Sequence, residues 1–332
     1  MPIIRNIVLG TKCSEEGIDE ICQSGGIKRQ DLDAPHLRLS LEQNCFIMES
    51  AIRSSQNDSL GLHVGESTTT VVLGITGHLM QTSQTLFLAL KNLQEFTANF
   101  TRLYTFYIEE KGGHVHFYCE PVPLWNDVSP ETARHSVDIA YAGTLHIFKL
   151  LTGRTFYPKY VKYRYSNGGN MVEYQRIFKC QPQFQQNHNC LIFAKSDLQT
   201  PIIGYNDELS SIFKNLLETE RQKENLGTTF SNKVKEIILK QYLFHFPQLE
   251  EVADKMHLTP RSLQRKLKDE NTTFRIITDT IKLELSCHLL KNPKYSVGDI
   301  AYKLGYAEPS AFQRAFRNWA GQSPYVFRKQ PI

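Results

Sequence analysis

No stretch of this 332-residue sequence approaches the ~18 consecutive apolar residues that a membrane-spanning helix needs. The opening residues, Met1-Pro2-Ile3-Ile4-Arg5-Asn6, lack the charged start, long apolar run and small-residue cleavage site of a signal peptide. The seven cysteines, at positions 13, 22, 45, 119, 180, 190 and 287, form no C-x-x-C pair. An odd number without close spacing speaks against a disulfide framework and for reduced, mostly buried thiols. A cytoplasmic protein without a membrane partner is therefore expected. Ser67-Thr68-Thr69-Thr70 lacks the glycine and lysine context of a phosphate-binding loop. His114 and His116 alternate on one expected strand and share a face, but no Cys, Asp or Glu completes a metal set beside them. Cys180 and Cys190 flank a loop that holds His188, and two structural thiols are the simpler reading of that pair than a redox or metal clip. The aromatic positions Tyr104, Phe106, Tyr107, Phe117 and Tyr118 could line a pocket, and a hydrophobic core explains them equally well. No metal, no cofactor and no enzyme activity is expected.

What is present is an ordinary globular composition, 41% hydrophobic and 22% charged, on a chain long enough for two or three domains. The net charge of +4 is unevenly placed. From Ser231 onward there are 17 Lys/Arg against 10 Asp/Glu, whereas the preceding residues hold 21 against 24. A basic end on a slightly acidic body suits a nucleic-acid module attached to something else, although charge alone does not separate that from a routine surface imbalance.

The first two hundred residues mix helix and strand. Leu37 to Ser54, Gln84 to Phe100 and Ala133 to Leu151 carry apolar residues at helical spacing. Leu103 to Glu110 and Val115 to Glu120 alternate apolar with polar residues around Lys111-Gly112-Gly113, which predicts a β-hairpin. Tyr160 to Tyr165 and Leu191 to Ala194 read as short strands, and Pro182 to Asn189 as a Gln/Asn-rich loop. Asp207 to Glu224 reads as a helix that becomes polar at its end, with Thr219 to Thr229 as the candidate linker. The expected organisation is an α+β domain over residues 1–205, with helices and a small antiparallel sheet. A connecting helix and linker over 206–230 leads to an all-α domain over 231–332.

The last hundred residues contain two imperfect copies of one pattern. Val252-Ala253-Asp254-Lys255-Met256-His257-Leu258 is followed by Thr259 to Leu267, and Ile300-Ala301-Tyr302-Lys303-Leu304-Gly305-Tyr306 by Ala307 to Phe316. Ala253 maps to Ala301 at a shift of 48 and Arg265 to Arg314 at a shift of 49, so the second turn is one residue longer. Both read as helix-turn-helix units, and two such units in one chain can reach successive major grooves, which repeat about every 34 Å on one face. Pro247 fits a first helical turn, Thr259-Pro260 an N-cap and N1 pair, and Ser296 with Asp299 a capping box. Phe274 to Leu290 is a long helix between the units, stopped by Asn292-Pro293.

On Pro260 to Asp269, Leu263 and Leu267 form the inward stripe, while Arg261, Ser262, Gln264, Arg265, Lys266 and Lys268 are offered to solvent. Arg and Gln match guanine and adenine edges, and Ser or Thr at a helix start can hold phosphate. The second reading helix, roughly Pro309 to Trp319, buries Phe312 and Phe316 and offers Ser310, Gln313, Arg314 and Arg317. It is less basic, which assigns it more to positioning than to base reading.

The stretch from about Lys233 to Arg328 resembles the DNA-binding domain of AraC/XylS-type bacterial transcription regulators. The matching residues include Asp299-Ile300-Ala301, Leu304-Gly305-Tyr306, Phe312-Gln313-Arg314-Ala315-Phe316 and Gly321-Gln322-Ser323-Pro324-Tyr325. The resemblance implies two helix-turn-helix units joined by a long helix, with Arg261, Gln264 and Arg265, and Ser310, Gln313 and Arg314, facing the major groove. His257 and Asn271 stand where the family usually has glycine, and Lys282 where it usually has arginine. The first part of the chain resembles the arabinose-binding-like domain of a subfamily of these regulators. The resemblance rests on Asp58 to Gly65, Gly77 to Leu90, Leu151 to Pro158 and Leu191 to Pro201. It implies a sensory or dimerising domain of mixed helices and short strands.

The expected function is sequence-specific transcription regulation, with the first domain sensing a small-molecule effector whose identity and binding residues the sequence does not give. The expected partners are double-stranded promoter DNA, that effector, RNA polymerase if the regulator activates, and a second copy, because paired sites reward a dimer. The alternative is a ligand-independent regulator whose first domain only dimerises. A third class, an enzyme that uses DNA binding for targeting, would need the clustered zinc cysteines and reactive cysteine of a repair methyltransferase, or a similar catalytic set.

Overall fold

A computed structural model describes residues 2–34, 39–166, 169–227, 229–241, 246–291 and 295–329. The chain divides into two compact units, Met1–Trp125 with Ser129–Lys223, and Asn126–Val128 with Glu224–Ile332.

The first unit opens with helices α1 (Pro2–Gly10), α2 (Glu15–Ser24), α3 (Leu41–Ser55), α4 (Leu60–Glu66), α5 (Ile75–Gln81), α6 (Leu86–Glu95) and α7 (Thr97–Phe100). The hairpin β1 (Tyr104–Lys111) and β2 (His114–Pro121) follows, then α8 (Pro123–Val128) and α9 (Pro130–Thr152). β3 (Tyr160–Lys162), α10 (Met171–Phe178), β4 (Cys190–Ala194), α11 (Lys195–Leu198) and α12 (Asp207–Gly227) complete it, except that the last residues of α8 and of α12 fall in the second unit. The sheet is antiparallel throughout, in the order β1-β2-β4-β3. Its alternation sorts Phe106, Val115, Phe117, Leu191 and Phe193 into the main core, while Tyr118, Cys190 and Ile192 form a small cluster with Tyr107. The expected α+β architecture is what the structure contains.

Several expected boundaries move. The first long helix begins at Leu41, where Ser40 and Gln43 cap it reciprocally, and residues 37–38 of the expected span lie outside the described residues. Gln84 to Phe100 is two helices, α6 and α7, meeting at Phe96. The strand expected over Tyr160 to Tyr165 pairs with β4 only through Lys162, and Tyr163 and Tyr165 bond instead to the backbone of Gln183, Gln185 and Gln186. Residues 219–227 of the candidate linker continue α12, consistent with their Glu, Arg, Gln and Lys content, and Thr228 lies outside the described residues.

The central element of this unit is α9, most of whose residues are buried. It is met by α4, and the sequence permits that approach through Gly61 and Gly65, four residues apart. A Cβ at Gly61 would lie 2.4 Å from the His135 carbonyl oxygen, and one at Gly65 would lie 2.6 Å from the Ala142 Cβ. Any larger residue would force the helices apart. Beside this contact α9 buries a polar cluster. Arg134 Nη1 donates to Asp138 at 3.2 Å, and the Tyr174 hydroxyl donates to the same carboxylate at 3.1 Å. The His135 ring lies 2.9 Å from Arg134 Nη2 through Nε2 and 3.2 Å from the Gly61 amide through Nδ1.

The second unit has no strand among its described residues. It consists of α13 (Phe230–Gln241), α14 (Leu249–Lys255), α15 (Pro260–Asp269), α16 (Phe274–Lys291), α17 (Val297–Lys303), α18 (Pro309–Ala320) and α19 (Pro324–Arg328). Ile277, Ile281, Leu285 and Leu289, each four residues on, give α16 one buried stripe. Pro247 does not open a helix. Gln248 is the N-cap of α14, fixed by the Glu251 carboxylate that accepts its N–H at 3.1 Å. Ser296 and Asp299 form the expected capping box on α17. The Asn292-Pro293 stop lies outside the described residues.

Candidate nucleic-acid interface

The two helix-turn-helix units are built by the same backbone device. In the first, the His257 amide bonds the Asp254 carbonyl and the Leu258 amide reaches back to Ala253. In the second, Gly305 bonds Tyr302 and Tyr306 reaches back to Ala301. Both turns need a left-handed residue, and His257 (φ 53°) occupies in the first the place that Gly305 (φ 80°) takes in the second. A side chain there costs about 1–2 kcal/mol relative to glycine, so the first turn keeps its geometry at the expense of stability. Asn271 (φ 55°) makes the same adjustment before α16, with a residue type that tolerates it better.

The second helices of the two units are then capped differently. Thr259 caps α15, its hydroxyl accepting the Ser262 amide at 3.2 Å and donating to the Ser262 hydroxyl at 2.9 Å. Glu308 holds the equivalent place before α18 and makes no side-chain cap. The shift is 48 at Tyr306 and 49 at Glu308, so the additional residue of the second turn is Ala307.

The expected side chains fall where the helical period places them. Leu263 and Leu267 are buried under α15, and Arg261, Gln264, Arg265, Lys266 and Lys268 are exposed on the other side. Ser262 is half-buried beneath its cap. Phe312 and Phe316 are buried under α18, Ser310, Arg314 and Arg317 are exposed, and Gln313 is half-buried. Among the described residues Arg261, Arg265, Lys268, Arg314 and Arg317 make no ion pair, which leaves five cations on the outward faces of the two helices. Lys266 differs from them, with its ammonium 5.5 Å from the Phe230 ring.

Two groups at the helix starts modify the sequence reading. The Ser262 amide is taken by Thr259, so the N-terminus of α15 has less to offer a phosphate than its Ser/Thr content suggested. Ser310 donates to the Glu308 carboxylate at 3.3 Å, which places an acidic group at the head of α18. Glu308 was absent from the sequence-derived set. Its alignment with Thr259 at the shift of 49 is the signal that could have singled it out. An acceptor-only carboxylate disfavours phosphate and suits a cytosine amino group.

The scaffold is fastened at both ends. Glu270, just past α15, accepts the backbone amides of Phe230 and Ser231 at the start of α13, the latter at 2.8 Å. Burial works to raise its pKa, but the bonds from Ser231 and Phe230 hold it below the usual glutamate value. Arg328 in α19 donates to the Leu290 carbonyl at 3.0 Å and the Tyr295 carbonyl at 2.7 Å, setting a cation on the last turn of α16.

Elsewhere, no group of three or more His, Cys, Asp or Glu among the described residues could hold a metal ion. No helix among them is long and apolar enough to cross a membrane.

Residues 17–202 match the family described as the arabinose-binding domain of AraC transcription regulator, N-terminal, and residues 252–330 match a helix-turn-helix domain. The chain is 24% identical over 306 residues to the ornithine utilization regulator of Pseudomonas aeruginosa, covering 92% of this chain and 88% of that one. It is 26% identical over 226 residues to the HTH-type transcriptional regulator VqsM of the same organism, covering 64% and 65%. The crystal structure of the transcriptional regulator CdpR from Pseudomonas aeruginosa aligns over 95% of this chain and 97% of that one, at 19% identity and a TM-score of 0.45. With the first unit matching the arabinose-binding domain and the second carrying the two helix-turn-helix units, the chain belongs to the AraC-type DNA-binding transcription regulators.

Proposed function

We propose that this regulator reads promoter DNA by placing α15 and α18 in successive major grooves, under the control of a small effector bound by its N-terminal unit. The observation that carries the reading is the pairing of two identically bonded turns with two helices that each offer a Gln-Arg pair, Gln264-Arg265 and Gln313-Arg314. In this reading Arg261, Gln264 and Arg265 of α15 and Ser310, Gln313 and Arg314 of α18 face the major groove, while Ser262, Lys268 and Arg317 complete the DNA-facing set. Residues 1–205 sense, 206–230 connect and 231–332 bind DNA. The protein acts in the cytoplasm, as a homodimer on paired sites, and meets RNA polymerase there if it activates. Catalysis has no part in this reading.

Arg265→Ala is expected to weaken binding by about 1–3 kcal/mol and to relax discrimination at one base pair, since a bidentate base contact is lost. Footprinting of the full chain on the DNA upstream of its own gene, with competitor at physiological salt, measures this against the wild type. Uniform weakening on every sequence would make Arg265 a phosphate contact and remove it from the base-reading set.

An effector can act only by binding one conformation or assembly better than another. The relative named for ornithine utilization makes ornithine the first compound to test, ahead of a broad metabolite panel. A true effector is expected to raise the unfolding temperature of the chain and to change its DNA affinity or assembly. A panel with no such compound, and activity that simply follows expression level, favours the ligand-independent alternative.

A further inference from the structure

Resting on the reading of α15 and α18 as the DNA-facing helices, we propose that Lys282 is the positioning residue that sets the angle between them. It does so as a cation held by one aromatic ring from each helix-turn-helix unit. Lys282 lies mid-way along α16. Its Nζ stands 4.8 Å from the ring centre of Phe246, which leads into α14, and 4.7 Å from that of Tyr306, which closes the second turn. A cation near an aromatic face is attracted by the ring quadrupole, more strongly where water is withdrawn. Water is partly withdrawn here, with Lys282 and Tyr306 each half-buried. Phe246 is buried, and burial pushes the Lys282 ammonium below its usual pKa, against the opposing pull of Asp279.

Each ring passes the contact on. Tyr306 meets Phe312 and Trp319 of α18, with ring centres 5.7 and 6.5 Å away. Phe246 is followed by Pro247, whose φ is fixed by its ring, and by Gln248, the N-cap of α14. The length of α16 fixes how far apart the units lie, but a helix does not by itself fix how each is rotated about its own packing contacts. A single charge shared between the entry of one unit and the turn of the other supplies that constraint. The rotation matters because one base pair added between two DNA boxes turns the second by roughly 34° around the helix axis. Arginine at this position would keep the interaction, since a guanidinium stacks on ring faces.

The test starts from a duplex enriched from a random-sequence pool by the wild-type full-length chain, with versions carrying one base pair more or fewer between its two boxes. Wild type is expected to bind the altered spacings about tenfold more weakly or worse. Lys282→Met should bind the original duplex about three- to tenfold more weakly and lose most of the spacing penalty, while Lys282→Arg restores it. Tyr306→Leu, which removes one ring and leaves the cation in place, should lose the penalty in the same way and serves if Lys282→Met does not fold. The proposal is overturned if the variants keep the wild-type penalty. It is also overturned if Lys282→Met weakens every duplex equally with a salt dependence lower by about one ion, which would make Lys282 a phosphate contact. A wild-type chain that enriches no sequence overturns the DNA-reading assignment itself, and the clamp with it.

Discussion

Asp138→Ala is expected to lower the stability of the N-terminal unit by about 3–5 kcal/mol, because it strands the Arg134 guanidinium without its counter-charge. Both residues are almost wholly withdrawn from water, with Asp138 at 0% and Arg134 at 6% exposure. The carboxylate also accepts from the Tyr174 hydroxyl, so its removal leaves that buried donor unanswered and Arg134 Nη1 with only the Tyr174 oxygen, at 3.3 Å. Replacing the pair together, as Arg134→Met with Asp138→Leu, should cost far less, since buried ion pairs often contribute little over well-packed apolar residues. Chemical unfolding of the full chain, followed by a probe in this unit, measures both. A loss below about 1 kcal/mol for Asp138→Ala would mean that water or a rearranged partner reaches Arg134.

The same cluster fixes a pH signature. Burial is the main cause that pushes the Asp138 carboxyl up to about 6, with Arg134 pulling the other way. Its proton is held more tightly folded than unfolded, so its contribution is complete below its unfolded pKa and is lost as the pH rises through about 6. Burial, aided by Arg134, pushes the His135 imidazole down to about 3. That contribution is complete above its unfolded pKa and is lost as the pH falls toward 3. The two oppose each other between about pH 4 and 6. Asp138→Asn removes the first and leaves the second, so the variant should lose stability on acidification through that window more steeply than wild type. Parallel slopes would rule out the coupling.

Phe316→Ala should cost the DNA-binding unit about 3–5 kcal/mol, the usual range for truncating a buried aromatic ring. Phe316 is fully buried, and its ring centre is 5.8 Å from that of Phe312 and 5.6 Å from that of Phe327. It is therefore the joint at which α18 meets both its own second anchor and the terminal helix α19. Because α15 rests on Leu263 and Leu267 instead, the first box should remain protected in a footprint while the second is lost. Denaturant unfolding together with the footprint separates the outcomes. Loss of both boxes in a chain that still unfolds cooperatively at wild-type denaturant would contradict this division of the core.

The helix-turn-helix units were legible from sequence because their determinants are local. Leu263 with Leu267, and Phe312 with Phe316, sit four residues apart. Thr259 and Ser296 cap helices within three residues of themselves, and the duplication exposes the extra residue in the second turn. The N-terminal unit was legible only in outline. Gly61 matters because His135, seventy-four positions later, lies against it, and nothing near Gly61 announces that. Phe96 breaks an apolar run of helical period because tertiary packing takes its ring into another cluster, with Leu79 and Leu217. Polarity marks Thr219 to Thr229 as a linker, yet polarity describes a solvated helix just as well as a loop, and α12 runs to Gly227. Lys282 was visible as a departure from the family pattern, whereas its two rings come from residues 36 and 24 positions away on either side.

The bond from Glu270 to the start of α13 decides where the chain can be cut. Thr229 accepts the Asn232 amide through its hydroxyl, Phe230 lies under Lys266, and Glu270 holds the amides of Phe230 and Ser231. A fragment beginning at Ser231 would discard the first two supports and half of the third, and would fray at the end that steadies α15. A fragment beginning upstream, within the last turns of α12, keeps all of them, and is the piece to prepare when the DNA-binding unit is wanted by itself.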